Sequence, residues 1–258
     1  MSSRTDAMLR LWQALLLAAV LAAWQGLVHY KILPVFFFGE PLQVFSVLRE
    51  WVSSGLLFPH LGVTLTETLA AFLAGTALGI GVGLWLGLRP FAARLLDPYL
   101  KAANAMPRVV LAPIFAMWFG LGMGSKIALG ITLVFFAVFF NVFQGVREVS
   151  PVIIANARML GASRLQLLRH IYWPAALSWV FSSLHTSVGM AFMGAVVGEY
   201  LGAARGVGYL ILQAEGVFDI NAVIAGLAVL TVCALGLDAA ISGLERRLLA
   251  WRPGGRGN

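Results

Sequence analysis

Six runs of apolar residues organise the chain, at about 9–28, 61–88, 102–120, 126–145, 177–200 and 221–243. A helix needs roughly 20 apolar residues to cross a bilayer, and each run is close to that length. Polar residues gather in the segments between. In the 29–60 segment, EPLQVFSVLREWVSSG places Leu42, Phe45, Leu48 and Val52 at helical spacing. Pro41 suits a first helical turn and Gly55 a helix end, so this pattern predicts a short amphipathic helix lying along the membrane surface. The stretch ANARMLGASRLQLLRHIYWPAAL (155–177) carries Arg158, Arg164, Arg169 and His170 and no acid.

Composition supports the membrane reading. Of 258 residues, 60% are hydrophobic and only 11% charged, against about 25% in a soluble domain. Six spans and their loops use the whole of 1–258, so the expectation is a single all-α transmembrane domain. The net charge of +7 reflects topology rather than nucleic-acid binding, because basic residues concentrate in cytoplasmic loops. With both termini inside, 14 of the 18 Lys and Arg residues fall on the cytoplasmic side. The four outside are Lys31, Arg49, Lys126 and Arg205. Residues 1–28 share a basic start and small residues, Ala22 and Ala23, with cleaved leaders. Their length and the edge residues Trp12, Gln13 and Trp24 favour a retained first span. The tail RPGGRGN is expected to be disordered. The single cysteine, Cys233, sits in an apolar run as a small packing residue.

The 147–176 segment reads as two short helices. Ser150 and Pro151 form an N-cap and a first-turn proline. That helix runs to Leu160, and Gly161 suits the left-handed residue that ends it. Ser163 and Gln166 form a capping box for a second helix, with Leu165, Leu168 and Tyr172 on one face, and Pro174 marks its break. Such a helix either inserts into a groove on a partner protein or rests on the anionic headgroups of membrane lipid.

Other features have two readings each. Gly75, Gly79, Gly83 and Gly87 repeat every four residues, a ridge that permits close helix packing and also sliding. Ser182, His185, Thr186 and Gly189 share about one helical face, with Met193 beyond. That face either holds a neutral imidazole bonded to a neighbour or lines a pathway for a polar solute. Charges in a span cost roughly 2.5–3.5 kcal/mol at its centre, so the acids there need partners. Glu199 either pairs or caps, or faces a binding protein outside. Glu67 is expected to face the bundle or dimer interior, and Asp238 to reach Arg246 or Arg247. Asn104 and Asn141 are expected to bridge spans. GLGMGSK (120–126) has the wrong spacing for a nucleotide loop, and the four histidines show no metal-ligand spacing.

The 147–176 segment resembles the cytoplasmic coupling loop of ABC importer permeases. That pattern is Glu-Ala-Ala, three residues, Gly, nine residues, then Ile-x-Leu-Pro. Ala157, Gly161, Ile171 and Pro174 match it, while Ala155, Asn156 and Trp173 replace the glutamate, the first alanine and the leucine. ILPVFFFGEPLQVFSVLREWVSSGLLFPHL, VVGEYLGAARGVGYLI and LERRLLAWRP resemble the nitrate, sulfonate and taurine-type branch of these permeases. The resemblance implies a methionine-importer-like fold of six transmembrane helices in an inner membrane, working as a homodimer. It implies two separate ATP-binding cassette subunits docked at Ala157, Arg158, Gly161, Ala162, Ile171 and Pro174, and an extracytoplasmic solute-binding protein. ATP and Mg would belong to those ATPase subunits, with no cofactor on this chain and no enzyme activity of its own. The implied solute is nitrate, a sulfonate or a taurine-like molecule, with a vitamin precursor as alternative. A standalone channel or secondary carrier would show inverted repeats and interrupted helices, and a membrane enzyme clustered His, Asp or Cys near one face; no repeat and no such cluster is present in the sequence, although Pro107 and Pro113 interrupt the third run.

Overall fold

A computed structural model describes residues 2–248, with side chains described for 8–243. The described residues form helices and no strand. Helix α1 (Ser2–His29) is followed by the single turn α2 (Val35–Phe38) and by α3 (Pro41–Ser53). Pro41 starts α3, and Gly55, at φ +76, follows its end. The apolar stripe expected of α3 divides in two. Val44 and Trp51 are buried and Leu48 packs with them, while Leu42, Phe45 and Val52 stay exposed on the outward face.

The second run forms α4 (Leu57–Gly87). The expected single span over 102–120 is not a single helix. Instead α5 (Pro90–Ala105) meets a 3-10 turn, Arg108–Leu111, that leads into α6 (Ala112–Phe119), and the two halves bend by 84°. Pro107 lacks an N–H and disfavours helical backbone at Met106, whose ψ of 132 is extended. Pro113 then sits in the first turn of α6. α7 (Met123–Arg147), α8 (Pro151–Met159), α9 (Arg164–Leu167), α10 (Trp173–Leu201), α11 (Val207–Gly216) and α12 (Ile220–Leu248) complete the order. Five helices are long and apolar enough to span a bilayer, and the bent pair makes a sixth crossing if it counts as one. This is a multi-pass membrane protein.

The bundle is built around α7, which packs along both α4 and α10. The α4 face is the glycine ridge. A Cβ on Gly75, Gly79, Gly83 or Gly87 would lie 2.6–2.9 Å from Val134, Val138, Val142 or Val146 respectively. Both helices therefore present four-residue ridges, and each glycine receives one valine. On the other side of α7, Gly130 meets Gly194 at backbone contact and Gly145 receives the Trp179 ring. A second apolar core, formed by Trp51, Val207, Leu210, Ile211 and Ala225, joins α3, α11 and α12.

Gly79→Leu collides with Val138 and should destabilise the bundle by about 1–3 kcal/mol, the usual range for overpacking. Thermal melting of the detergent-solubilised protein measures the loss. Gly79→Ala, which adds a single carbon 2.8 Å from Val138 Cβ, should cost less than Gly79→Leu.

Candidate coupling loop and transport pathway

The loop between α7 and α10 takes its shape from two local signals. α8 starts behind Ser150 with Pro151 in its first turn. It ends in a Schellman motif: the Gly161 N–H donates to Arg158 O at 3.0 Å and the Ala162 N–H to Ala157 O at 3.0 Å, with Gly161 at φ +81. Ser163 then caps α9. The Gln166 N–H donates to Ser163 Oγ at 3.3 Å, and the Ser163 N–H donates to Gln166 Oε1 at 2.7 Å. The two helices enclose a small hollow lined by Ala157, Gly161, Ala162 and Ile171. Arg158 points outside it, into a larger cavity. Val152, Ile153, Met159, Leu160 and Leu165 are all exposed, Leu160 to 88%. An apolar crest with basic neighbours thus stands clear of the bundle.

Pro174 does not break the helix. α9 runs into a π turn, Leu168–Tyr172, and then straight into α10, so that 164–201 is one rod. Pro174 sits in the first turn of α10. The wider π turn accommodates the donor that proline lacks, which resolves the break expected from the sequence.

On α10, Ser182, Thr186, Gly189 and Met193 share an exposed face with the half-buried His185. The opposite face, including Val180, Leu184, Val188 and Ala191, packs into the bundle. His185 Nδ1 lies 2.7 Å from Asp238 Oδ1 on α12. Asp238 thus meets a histidine, and the side chains of Arg246 and Arg247, its expected partners, lie outside the described residues. Asn104 and Asn141 do not bridge spans in this chain. Asn141 Nδ2 donates to Ala137 O in its own helix, and Asn104 accepts from Arg108, whose guanidinium lies 4.4 Å over the Phe136 ring.

The far end of the bundle holds a buried polar cluster. Glu199, expected either to pair or cap or to face a partner outside, is fully buried. It accepts from Thr64 Oγ1 at 2.6 Å and from the Gly208 N–H at 2.8 Å. Thr64 Oγ1 in turn accepts from the Val207 N–H at 3.0 Å. The first turn of α11 is capped by side chains from α4 and α10, with a carboxylate at its positive end. Gly206 has no room for a side chain, because a Cβ there would lie 2.1 Å from Glu199 Cδ. Glu67 lies beside Glu199 and is buried, and its Oε2 has no hydrogen-bond partner. Lys126, counted from the sequence as an outside loop charge, is also buried. It interacts with both acids and donates to the carbonyls of Leu121 and Gly202. Sequence reasoning missed the roles of Lys126, Thr64 and Gly206. A lysine next to an apolar run and a G-x-G before α11 were the signals, but their partners are distant in sequence.

Residues 75–250 match the family model described as "Binding-protein-dependent transport system inner membrane component". A Bacillus subtilis permease assigned, provisionally, to aliphatic sulfonates is 34% identical, covering 92% of this chain and 86% of that protein. The taurine transport system permease protein of Escherichia coli is 31% identical over 91% of this chain and 87% of its own length. Among solved structures, a methionine ABC transporter in an inward-facing conformation superimposes with a TM-score of 0.65 and 19% identity. That match covers 76% of this chain and 97% of the other, and it establishes the fold.

Thr64→Val removes the hydroxyl's hydrogen bonds to Glu199, the Val207 N–H and the His60 carbonyl and should cost about 1–3 kcal/mol. Amide hydrogen exchange should rise across 207–216 while 134–146 stays protected, and Thr64→Ser should restore the slow exchange.

Proposed function

We propose, for a chain that belongs to the family of binding-protein-dependent transport system inner membrane components, a role as permease subunit of an ATP-driven importer for a sulfonate or taurine-like solute. The observation that carries the coupling role is the α8–α9 crest, exposed, apolar and continuous with α10. In this reading two copies form a homodimer, and an ATPase subunit seats on each crest. A solute-binding protein delivers cargo at the opposite end, near α11. The termini and the 147–176 loop lie in the cytoplasm. ATP and Mg are held by the ATPase subunits. ATP binding moves α8 and α9, the rod carries the motion through α10, and the spans exchange which end is open.

The exposed α10 face suits the pathway. An acid and a histidine in the membrane require a polar setting, and Ser182 and Thr186 extend that setting along the helix. The solute assignment rests on two of the relatives, named for aliphatic sulfonates and for taurine; others of similar identity are named for riboflavin and for formylaminopyrimidine.

Gly161→Pro is incompatible with the left-handed backbone at that position and removes the N–H that closes the Schellman motif. The parent should co-purify with an ATPase subunit in mild detergent, and the variant should lose it while its own melting temperature changes little. A parent that brings down no ATPase would refute the importer reading. Topology is tested separately, with Ser163→Cys in a Cys233→Ser background. An impermeant maleimide should label that cysteine in inverted vesicles and not in intact spheroplasts.

A further inference from the structure

A cavity of about 940 Å³ lies at the loop end, between the α4–α5 junction and the α8–α9 loop. Its charged lining is Arg89, Arg158 and Arg164, with no acid. None of these guanidiniums has an ion-pair partner among the described residues. α5 starts at this wall with Pro90, and has neither a side-chain cap nor an acid in its first turn. Its first N–H groups and positive dipole end are thus uncompensated. Four sources of positive potential face one volume.

The other walls are apolar. Trp85 belongs to the last turn of the α4 span and is 53% exposed, and Phe91 is 81% exposed. Trp85 lies at the end of that helix, next to Arg89. A tryptophan near a span end beside arginines is the arrangement found where hydrocarbon gives way to headgroups. We propose that this cavity is a binding site for an anionic phospholipid of the leaflet on the loop side. Its phosphate would sit among Arg89, Arg158, Arg164 and the α5 N-terminus, and its acyl chains would lie against Trp85 and Phe91. The lipid would fill the space beside the coupling loop and brace it. The site follows from the membrane location alone and does not depend on the importer reading.

The test is native mass spectrometry of the full-length protein, with its co-purifying subunits, in mild detergent. It is titrated with phosphatidylglycerol and, separately, with phosphatidylcholine. The parent should retain about one tightly bound phosphatidylglycerol per chain and no phosphatidylcholine. Arg89→Gln with Arg164→Gln should weaken phosphatidylglycerol binding roughly 30-fold, as two surface arginines imply. Arg89→Lys with Arg164→Lys keeps the charge and should bind phosphatidylglycerol more tightly than the Gln pair. Equal retention of the two lipids by the parent, or unchanged phosphatidylglycerol in the Gln variant, overturns the proposal. So does displacement of the lipid by millimolar inorganic phosphate, which would mark a free-anion site. Loss of an ATPase subunit from the Gln variant with its lipid count intact would instead assign the arginines to protein docking.

Discussion

Close approach of α4 to α7 is the constraint on which the rest of the structure depends. In a bilayer, burying apolar surface against another helix gains little, because lipid tails are as apolar as leucine. Association then rests on van der Waals contact, and each such contact is worth only about 0.1–0.2 kcal/mol at optimal separation. Many atoms must therefore meet at short range. Four glycines facing four valines achieve this over about 18 Å of helix. The same device recurs where α7 meets α10, at Gly130, Gly145 and Gly194. α4, α7 and α10 form a slab whose thickness is set by missing side chains. By contrast α1 is largely exposed along its described length, and the α5–α6 pair is bent.

The slab is fastened differently at its two ends. At the α11 end, buried polar groups tie α4, α7, α10 and α11 together through Thr64, Lys126, Glu199 and the turn before α11. Breaking one partner there leaves others buried and unpaired, so the arrangement resists partial opening. At the loop end the side chains are exposed, and the backbone itself, through a Schellman motif, a capping box and a π turn, sets the shape. One end is held by long-range pairs and the other by local geometry. A force applied at the locally built end reaches the pinned end through one continuous helix.

This difference explains how much the sequence revealed. Local signals were legible: the six apolar runs and the glycine ridge are patterns within one stretch of chain, and Gly161 as a helix terminator and the Ser163–Gln166 capping box lie within a few residues of their partners, although the valines that face the ridge come from another helix. Pro107 was visible too, but a hydropathy run counts apolar residues and is blind to backbone direction, so one span was read where the chain turns by 84°. Pro174 misled in the opposite sense, because a π turn is a backbone adjustment with no residue signature. The Glu199, Lys126 and Asp238 partners come from other helices, and nothing in a single sequence states which helices touch. The most informative polar contacts were therefore the least predictable ones.

The faces of α10 connect these observations. Its inner face is apolar and small, fitted against α7, with the buried Ser183 hydroxyl bonded back to Val180 O in its own helix. Its outer face carries Ser182, Thr186 and the His185–Asp238 pair, all wholly or partly exposed in a single chain. Lipid is a poor neighbour for such a face, since hydroxyls and a hydrogen-bonded His–Asp pair lose hydration against hydrocarbon. Water or a second copy of the chain satisfies it. In the proposed role α10 would divide the packed slab from a polar pathway. The loop rod that begins at Arg164 is continuous with it, so under that proposal the same helix would serve as lever and wall.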